Sequence, residues 1–430
     1  MSYHFLLDIA LILISTKLLG LLTKRFHMPQ VVGSLLAGLL LGPAVLNILN
    51  ATEFIAITAE LGVIVIMFTA GMGTNINELK NSGKSGTLVA VCGVLVPILI
   101  GTGVAWMFNR GSFADGGPIL LQNIFIGVIL TATSVSITVE ALREMGKLTT
   151  RVGNTILAAA IIDDILGLIA LTIVTAIGGA DVNIWMVLLK IVLFFVFVGI
   201  TGFFVHRLIN WYAEHVKQRD LHRFPVMAFV VCLLFAYCAE EFFGVADIIG
   251  AFAAGLVISS SSKGKYIESK FEPLSYLLLS PIFFASIGIK IQIPSMSWML
   301  ILLTLCIILA AILSKLIGCG LGAKLTGYSM RESVQIGLGM VCRGEVALIV
   351  ANRGMAMGLM PKSFFGPVIL MVIFTAVLTP ILLKISFRDK KEEITESDLS
   401  DRYIETEQMD YIAEEILEKS HEMQEKKDRS

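Results

Sequence analysis

The sequence predicts an all-α polytopic membrane protein, and three observations support this fold class. Only 16% of the 430 residues are charged and 56% are hydrophobic, with a mean hydropathy of +0.83. A soluble domain carries about 25% charged residues. Apolar runs of about 20 residues, long enough to cross a bilayer as a helix, recur along the chain. Of the 34 acidic residues, 15 lie between residues 389 and 428, so the preceding chain is still more apolar.

Several other classes of protein are disfavoured. The net charge of −1 argues against a nucleic-acid partner. The six cysteines lie inside apolar runs without a CxxC pair or a histidine at metal-ligand spacing, so we expect packing residues and no cofactor. Neither a GxGxxG nor a GxxxxGKS/T pattern occurs, which argues against a nucleotide-binding module in the chain. The first eight residues lack a basic region, so the first apolar run is interpreted as a span and not a cleaved signal.

The apolar runs give thirteen candidate spans. They cover residues 5–23, 29–46, 54–74, 85–107, 118–142, 152–177, 183–206, 223–243, 246–261, 272–289, 297–322, 332–356 and 363–385. With the N-terminus outside, the cytoplasmic loops contain sixteen basic residues, and the external loops contain four: Arg110, Lys290, Arg353 and Lys362. Because basic residues favour the cytoplasmic side, we predict an external N-terminus and a cytoplasmic C-terminus. Residues 386–430 are expected to form a charged, mostly acidic cytoplasmic tail, with a short amphipathic helix at 411–417.

Two adjacent carboxylates, Asp163 and Asp164, lie at the centre of the span at 152–177. They are more than about 15 Å from either end of the span, and an ionisable group at that depth is costly. Adjacent helix positions differ by about 100° in direction, so the two side chains have different surroundings. Neighbouring carboxylates at low dielectric have coupled titrations, which suits groups that take up and release protons. The alternative is a pair of acids satisfied by neighbouring backbone.

Two more polar clusters lie at the centres of their spans. One is the hydroxyl-rich stretch at 131–136, which includes Thr133 and Ser134; such residues often bond only to a preceding carbonyl. The other is Arg343-Gly344-Glu345, which could also be a self-compensating ion pair. The spans that carry these clusters are seven apart in order, so they cross the membrane in opposite senses. This arrangement is typical of an inverted repeat with interrupted helices at the midplane.

Lys315 lies about nine residues from the cytoplasmic end of its span. At that position, its side chain could extend to the membrane surface or pair with a buried carboxylate. The sequence leaves both alternatives open.

At these residues the chain resembles the monovalent cation:proton antiporters, specifically the NapA-like sodium/proton exchangers of the NhaA/Kef superfamily. The resemblance covers residues 1–385. Its motifs are MPQVVGSLLAGLLLGP, LGVIVIMFTAGM, TATSVSITVEAL, IIDDILG, IIGAFAAGLVIS, SPIFFASIGI and CRGEVALIV. IIDDILG together with TATS and RGE is specific, whereas the glycine-rich stretches alone indicate only close helix packing.

The resemblance implies an NhaA-like fold with two crossed, interrupted helices, in a homodimer in the cell membrane. It implies a dimerisation part at 1–74 and 183–261 and an ion-translocating core at 85–177 and 272–385. It also implies the roles of individual residues. Asp164 is the aspartate that binds Na+, with Asp163 beside it and paired with Lys315. Thr133, Ser134 and Glu345 are polar groups around the ion, and Arg343 is a charge partner.

The resulting hypothesis is secondary active antiport of a cytoplasmic monovalent cation, Na+ (with Li+ and K+ open), for external protons. Asp164 would bind the cation or a proton in competition. The first alternative is a potassium/proton antiporter of the Kef type. The others are an ion channel, disfavoured because channels use symmetric rings, and a sodium-coupled solute carrier. An enzyme is the least favoured class, since no histidine or cysteine constellation lies at depth.

Overall fold

A computed structural model describes residues 3–26, 28–110, 117–179, 183–215, 223–291 and 297–388. Contacts divide the chain into two compact units, Met1–Ser386 and Phe387–Ser430. Residues 389–430, which hold nearly all of the predicted acidic tail and its short helix, lie outside the described residues. The description below concerns the first unit and the helix that ends it.

The described residues form sixteen α-helices. The first eight are α1 His4–Arg25, α2 Gln30–Leu41, α3 Glu53–Met72, α4 Ile76–Phe108, α5 Ile119–Ile129, α6 Val135–Glu144, α7 Arg151–Ile177 and α8 Ile184–His215. The others are α9 Arg223–Glu241, α10 Asp247–Ser259, α11 Gly264–Leu274, α12 Ser280–Ile289, α13 Trp298–Leu325, α14 Met330–Gly339, α15 Glu345–Ala356 and α16 Phe365–Phe387. A π-helical turn, Ser275–Leu279, joins α11 to α12, and a short 3-10 turn, Lys362–Phe364, precedes α16.

Nine helical segments in the described ranges are long and apolar enough to cross a membrane. Three shorter apolar helices, Gln30–Leu41, Ile119–Ile129 and Asp247–Ser259, fall within other predicted spans. The predicted all-helical membrane fold is therefore confirmed. Helix α2 ends at Leu41, short of the predicted residue 46, because Gly42 precedes Pro43, and a residue before proline is driven out of the helical conformation.

One predicted span begins earlier than expected. The segment from Gly264 to Ile289 is continuous and includes Pro273 in α11 and Pro281 at the start of α12. Each proline removes a backbone donor and crowds the preceding turn, which accounts for the wider π turn between them. The span predicted at 272–289 thus gains a polar first helix, α11, with the sequence GKYIESKFEPL.

The helices of the first unit form two groups. In one, α12 packs on α1, α2 and α3, and α10 packs on α3 and α9. In the other, α4 packs on α5, α7 and α13, and an apolar cluster joins α5 and α13 to α15 and α16. Helix α8 contacts both groups, through α7 on one side and α9 and α10 on the other. The division into a dimerisation part and a core, which places residues 272–289 with the core, stays a prediction; in the structure α12 packs on α2 and α3 of the first group.

Candidate ion-binding site

Two helices of the second group are interrupted at their centres. Helix α5 ends at Ile129 and α6 begins at Val135, while α14 ends at Gly339 and α15 begins at Glu345. Between them, residues 130–134 and 340–344 are not helical. The hydroxyl-rich sequence of the first break favours this conformation, because Ser and Thr side chains compete with helical hydrogen bonds. Periodicity alone left these interruptions open, and the structure shows both.

The two breaks contact each other. The backbone amide of Ser134 donates to the carbonyl oxygen of Cys342 at 2.8 Å. The Thr138 hydroxyl donates to the Gly339 carbonyl at 2.8 Å. A Cβ atom on Gly344 would lie 2.6 Å from Ser134 Oγ and 2.8 Å from Ser134 Cβ. Since real Cβ contacts are never that short, glycine at 344 is what lets the two chains approach so closely.

Arg343 joins the broken ends of both helices. Its side chain is fully buried. Nη1 donates to the carbonyls of Met340 at 3.0 Å and Val341 at 2.9 Å, and Nη2 donates to Leu130 at 2.7 Å. These carbonyls belong to the C-terminal ends of α14 and α5, where the helix leaves acceptors unpaired and the dipole is negative.

Arg343 was predicted as a charge partner, but it makes no ion pair within the described ranges, with Glu345 or any other acid. The guanidinium points to carbonyl oxygens because two helix ends converge on it, a geometry that the residue order RGE does not reveal. Its backbone amide donates to the Thr375 hydroxyl of α16 at 3.2 Å. Sequence reasoning missed Thr375, for which the only signal was a hydroxyl in a span that is otherwise mostly apolar.

Asp163, Lys315 and Thr133 form a closed polar cluster. Lys315 is fully buried, and its Nζ donates to the two carboxylate oxygens of Asp163 at 2.7 and 2.9 Å. The Thr133 hydroxyl donates to Asp163 Oδ2 at 2.7 Å. Of the two alternatives for Lys315, the structure therefore shows pairing with a buried carboxylate. Thr133, expected beside the ion, bonds to Asp163.

Close packing of α13 on α4 brings Lys315 to this position. A Cβ on Gly318 would lie 2.6 Å from the Cys92 carbonyl oxygen, and one on Gly322 would lie 2.8 Å from Val89 Cα. On the facing side, a Cβ on Gly93 would lie 2.5 Å from Cys319 Sγ and 3.6 Å from Lys315 Nζ. Small residues at these positions let the two helices approach backbone to backbone, as is usual inside membrane proteins.

Asp164 differs from its neighbour. Asp163 is 2% exposed and accepts three hydrogen bonds, whereas Asp164 is partly exposed. Within the described ranges, the Asp164 carboxylate makes neither a hydrogen bond nor an ion pair. The 100° rotation between adjacent helix positions separates the two carboxylates in this way. One carboxylate is thus satisfied by protein groups, and the other is left able to bind a cation or a proton.

The remaining predicted site residues have different surroundings. Ser134 is the residue before α6, and its side chain is 9% exposed without capping that helix. Glu345 begins α15 and lies 3.5 Å from the Nζ of Lys290, which follows α12. Glu345 was expected to be one of the polar groups around the ion. In the structure its carboxylate pairs with Lys290, which belongs to the first helix group. Both side chains are 37% exposed.

Comparisons with known proteins identify the family of this chain. The family model described as "Sodium/hydrogen exchanger, transmembrane" matches residues 10–388. The chain is 39% identical to the Na(+)/H(+)-K(+) antiporter GerN of Bacillus cereus, over 92% of this chain and 100% of GerN. It is 41% identical to the probable Na(+)/H(+) antiporter GerT of the same organism, over 88% of this chain and 98% of GerT. The Na(+)/H(+) antiporter of Enterococcus hirae is 33% identical over 89% of this chain and 97% of that protein.

The fold also matches a solved structure. The sodium proton antiporter MjNhaP1 from Methanocaldococcus jannaschii at pH 8 superposes with a TM-score of 0.61, covering 88% of this chain and 95% of that chain. The sequence identity is 19%, so this likeness concerns the fold. The resemblance inferred from the motifs is thereby confirmed: the chain is a multi-pass membrane transporter, not an enzyme, and it belongs to the sodium/hydrogen exchanger family.

Proposed function

We propose that the protein exchanges cytoplasmic Na+ for external protons, with Asp164 binding the cation or a proton in competition. The observation that carries this proposal is the contrast between two adjacent carboxylates. Asp163 is satisfied by Lys315 and Thr133, whereas Asp164 is partly exposed without a protein partner in the described ranges. A carboxylate with free lone pairs suits a hard alkali cation, and the same lone pairs accept a proton.

The Asp163–Lys315 pair supplies a second titrating unit beside Asp164. A cation at Asp164 repels the Lys315 ammonium, whose Nζ lies 2.7 Å from Asp163 Oδ1. This repulsion weakens the pair, in which the Lys315 ammonium is the group that holds a proton to release. Arg343 neutralises the negative ends of α5 and α14, so the positive N-terminal ends of α6 and α15 remain at the crossing. Those ends lower the cost of a negative charge there when the cation has left.

Potassium is the second candidate cation. The specific observation is the 39% identity with GerN, which is named as a Na(+)/H(+)-K(+) antiporter. Oxygen ligands serve both ions, and the choice between them depends on the size of the site.

The proposed alternating access is a movement of one helix group against the other. We infer thirteen spans with the N-terminus outside, in two inverted repeats whose broken helices are α5–α6 and α14–α15. The group formed by α1–α3 and α9–α12 is the scaffold, and dimerisation occurs through it. The group formed by α4–α7 and α13–α16 carries Asp164 and moves against the scaffold. The two broken helices are seven spans apart in the proposed order, so they would cross the membrane in opposite directions, as an inverted repeat requires.

Proton flux in vesicles tests the proposed exchange. Purified protein in liposomes with an imposed pH gradient is given Na+, Li+ or K+ on one side, and a pH-sensitive dye reports proton movement. We expect Na+ to dissipate the gradient, with K+ also active if the second candidate holds. A channel would pass the cation without coupled protons, and a solute carrier would need an organic substrate. Absence of proton movement with all three cations would contradict the proposal.

Lys315→Gln is expected to reduce the voltage dependence of exchange. With two titrating units per cation, two protons exchange for one cation, so each cycle moves one charge, worth about 2.3 kcal/mol per 100 mV. Loss of the lysine also leaves Asp163 buried without its ion-pair partner, which costs about 3–5 kcal/mol of stability. The measurement is cation-driven proton flux in potassium-loaded vesicles with and without valinomycin. Lys324→Gln, in the last turn of the same helix, is the matched control. If valinomycin changes nothing in the wild type, exchange is electroneutral and the pair is only structural.

A further inference from the structure

A cavity of about 240 Å³ lies between α6 and the scaffold helices α1, α2 and α12. Two carboxylates of α6, Glu140 and Glu144, line it. They are four positions apart, so they lie on the same helix face one turn from each other. Ser280, the first residue of α12, lines the cavity from the scaffold. The cavity thus separates a helix of the mobile group from helices of the scaffold.

Two residues that line this cavity each have a buried side-chain oxygen without a hydrogen-bond partner. Glu140 is 5% exposed, and its Oε2 is buried without a partner. Ser280 is 4% exposed, and its Oγ is also without a partner. Buried polar atoms are nearly always paired, and an unpaired one is costly. The two atoms come from different helix groups, and each lacks the partner that a buried oxygen normally has.

The other charged and polar side chains around the cavity have partners among the lining residues themselves. Glu144 is exposed and accepts the backbone amides of Gln30 at 2.6 Å and Val31 at 3.0 Å, at the N-terminus of α2. Tyr276 donates to Gln30 Oε1, and Lys17 lies over the Tyr276 ring with Nζ 5.3 Å from its centroid.

The basic residue beside this face of α6 is also committed to other partners. Arg143 donates to Thr69 Oγ1 at 2.8 Å and pairs with Glu272 at 3.5 Å, on α3 and α11. No basic side chain therefore pairs with Glu140 within the described ranges. The uncompensated groups are a carboxylate and a hydroxyl, and both offer lone pairs.

We propose that this cavity is a second binding site for a monovalent alkali cation, coordinated by the Glu140 carboxylate and the Ser280 hydroxyl. It deepens the proposed function and rests on it, because the cation would be the transported ion on its cytoplasmic route. Glu140 lies six residues after Ser134, so at 1.5 Å per residue the site is about 9 Å along α6 from the break. The cavity volume also leaves room for several waters, since each takes about 30 Å³. The cation therefore keeps part of its hydration shell.

Equilibrium binding of 22Na+ to purified protein tests this site without transport. In Asp164→Asn the site at the crossing is removed, and we expect Na+ binding to persist at the cavity. Adding Glu140→Gln should weaken that binding about tenfold or more, the effect of losing one charge-assisted contact. Adding Ser280→Ala should weaken it severalfold. Adding Glu53→Gln, a matched change at the exposed start of α3, should leave binding unchanged.

Sidedness provides a second readout in the wild-type background. Glu140→Gln should raise the KM for Na+ about tenfold when Na+ is offered at the cytoplasmic face, with kcat and the external KM unchanged. Two results overturn the proposal: no Na+ binding to Asp164→Asn, or binding that survives both Glu140→Gln and Ser280→Ala. A Glu140→Gln variant with a shifted pH profile and unaltered Na+ binding would make Glu140 a proton site only, which also overturns it. Failure of the exchange itself would be seen in a different measurement, the proton flux of wild-type vesicles, so the two failures can be distinguished.

Discussion

Asp164→Asn is expected to abolish cation-driven proton flux while the protein still inserts and folds. The amide has nearly the shape of the carboxylate, but it neither carries a negative charge nor takes up a proton near neutral pH. The Asp164 side chain makes no hydrogen bond or ion pair in the described part of the chain, so its replacement breaks no polar side-chain contact of the fold. The loss therefore acts on transport and leaves thermal stability close to the wild-type value.

The measurement is the vesicle flux assay combined with thermal unfolding in detergent. Glu53→Gln makes the same chemical change at an exposed position that begins α3, and it should retain full activity. Flux near the wild-type rate in Asp164→Asn would remove this carboxylate from the mechanism. Flux lost together with folding would show that Asp164 supports the structure instead.

Arg343→Met is expected to cause the largest loss of stability. The guanidinium donates to carbonyls at the ends of both broken helices, including Leu130, Met340 and Val341. Methionine leaves these buried acceptors unpaired, at about 1–3 kcal/mol each. Three such groups cost several kcal/mol, a large part of the stability of about 5–15 kcal/mol that proteins have. We expect little folded protein, and no transport from what remains.

Arg343→Lys separates charge from geometry. Lysine keeps the positive charge but lacks the planar fork that reaches two helix ends at once, so an intermediate loss is expected. Arg353→Met, near the exposed end of α15, is the matched control and should leave stability within about 0.5 kcal/mol of the wild type. Thermal unfolding of the purified variants gives the comparison. Arg343→Met with wild-type stability would contradict the structural role of the guanidinium.

Much of the fold could be predicted from local sequence. Segments inside the bilayer must be apolar, and their backbone groups must form hydrogen bonds within the segment because no water is present. Long apolar runs in the sequence therefore predict the helices. The cost of ionisable groups at depth identifies Asp163, Asp164 and Arg343 without knowledge of their partners. Helix α2 is shorter than predicted because a Gly-Pro pair ends it, a signal present in the sequence.

The partners of the charged residues could not be predicted from position alone. Arg343 and Glu345 are two residues apart, yet one bonds to carbonyls of two helices and the other pairs with Lys290. The partner of each side chain depends on the direction in which that side chain points. For Arg343 and Glu345 this direction is set by how the two helix breaks cross. The pairing of Lys315 likewise depends on how closely α13 packs on α4. The helices on which α12 packs could not be predicted either, because the periodicity of apolar residues does not show which helices are neighbours.

Competition between Na+ and protons at one carboxylate is the central claim, and the apparent Na+ affinity as a function of pH tests it most directly. Cation-driven proton flux in vesicles at a series of Na+ concentrations gives the apparent KM between about pH 6 and 9. If a single protonation of Asp164 excludes the cation, the KM for Na+ should rise up to about tenfold for each unit that the pH falls, with kcat little changed. A KM for Na+ that stays flat across this range would contradict direct competition.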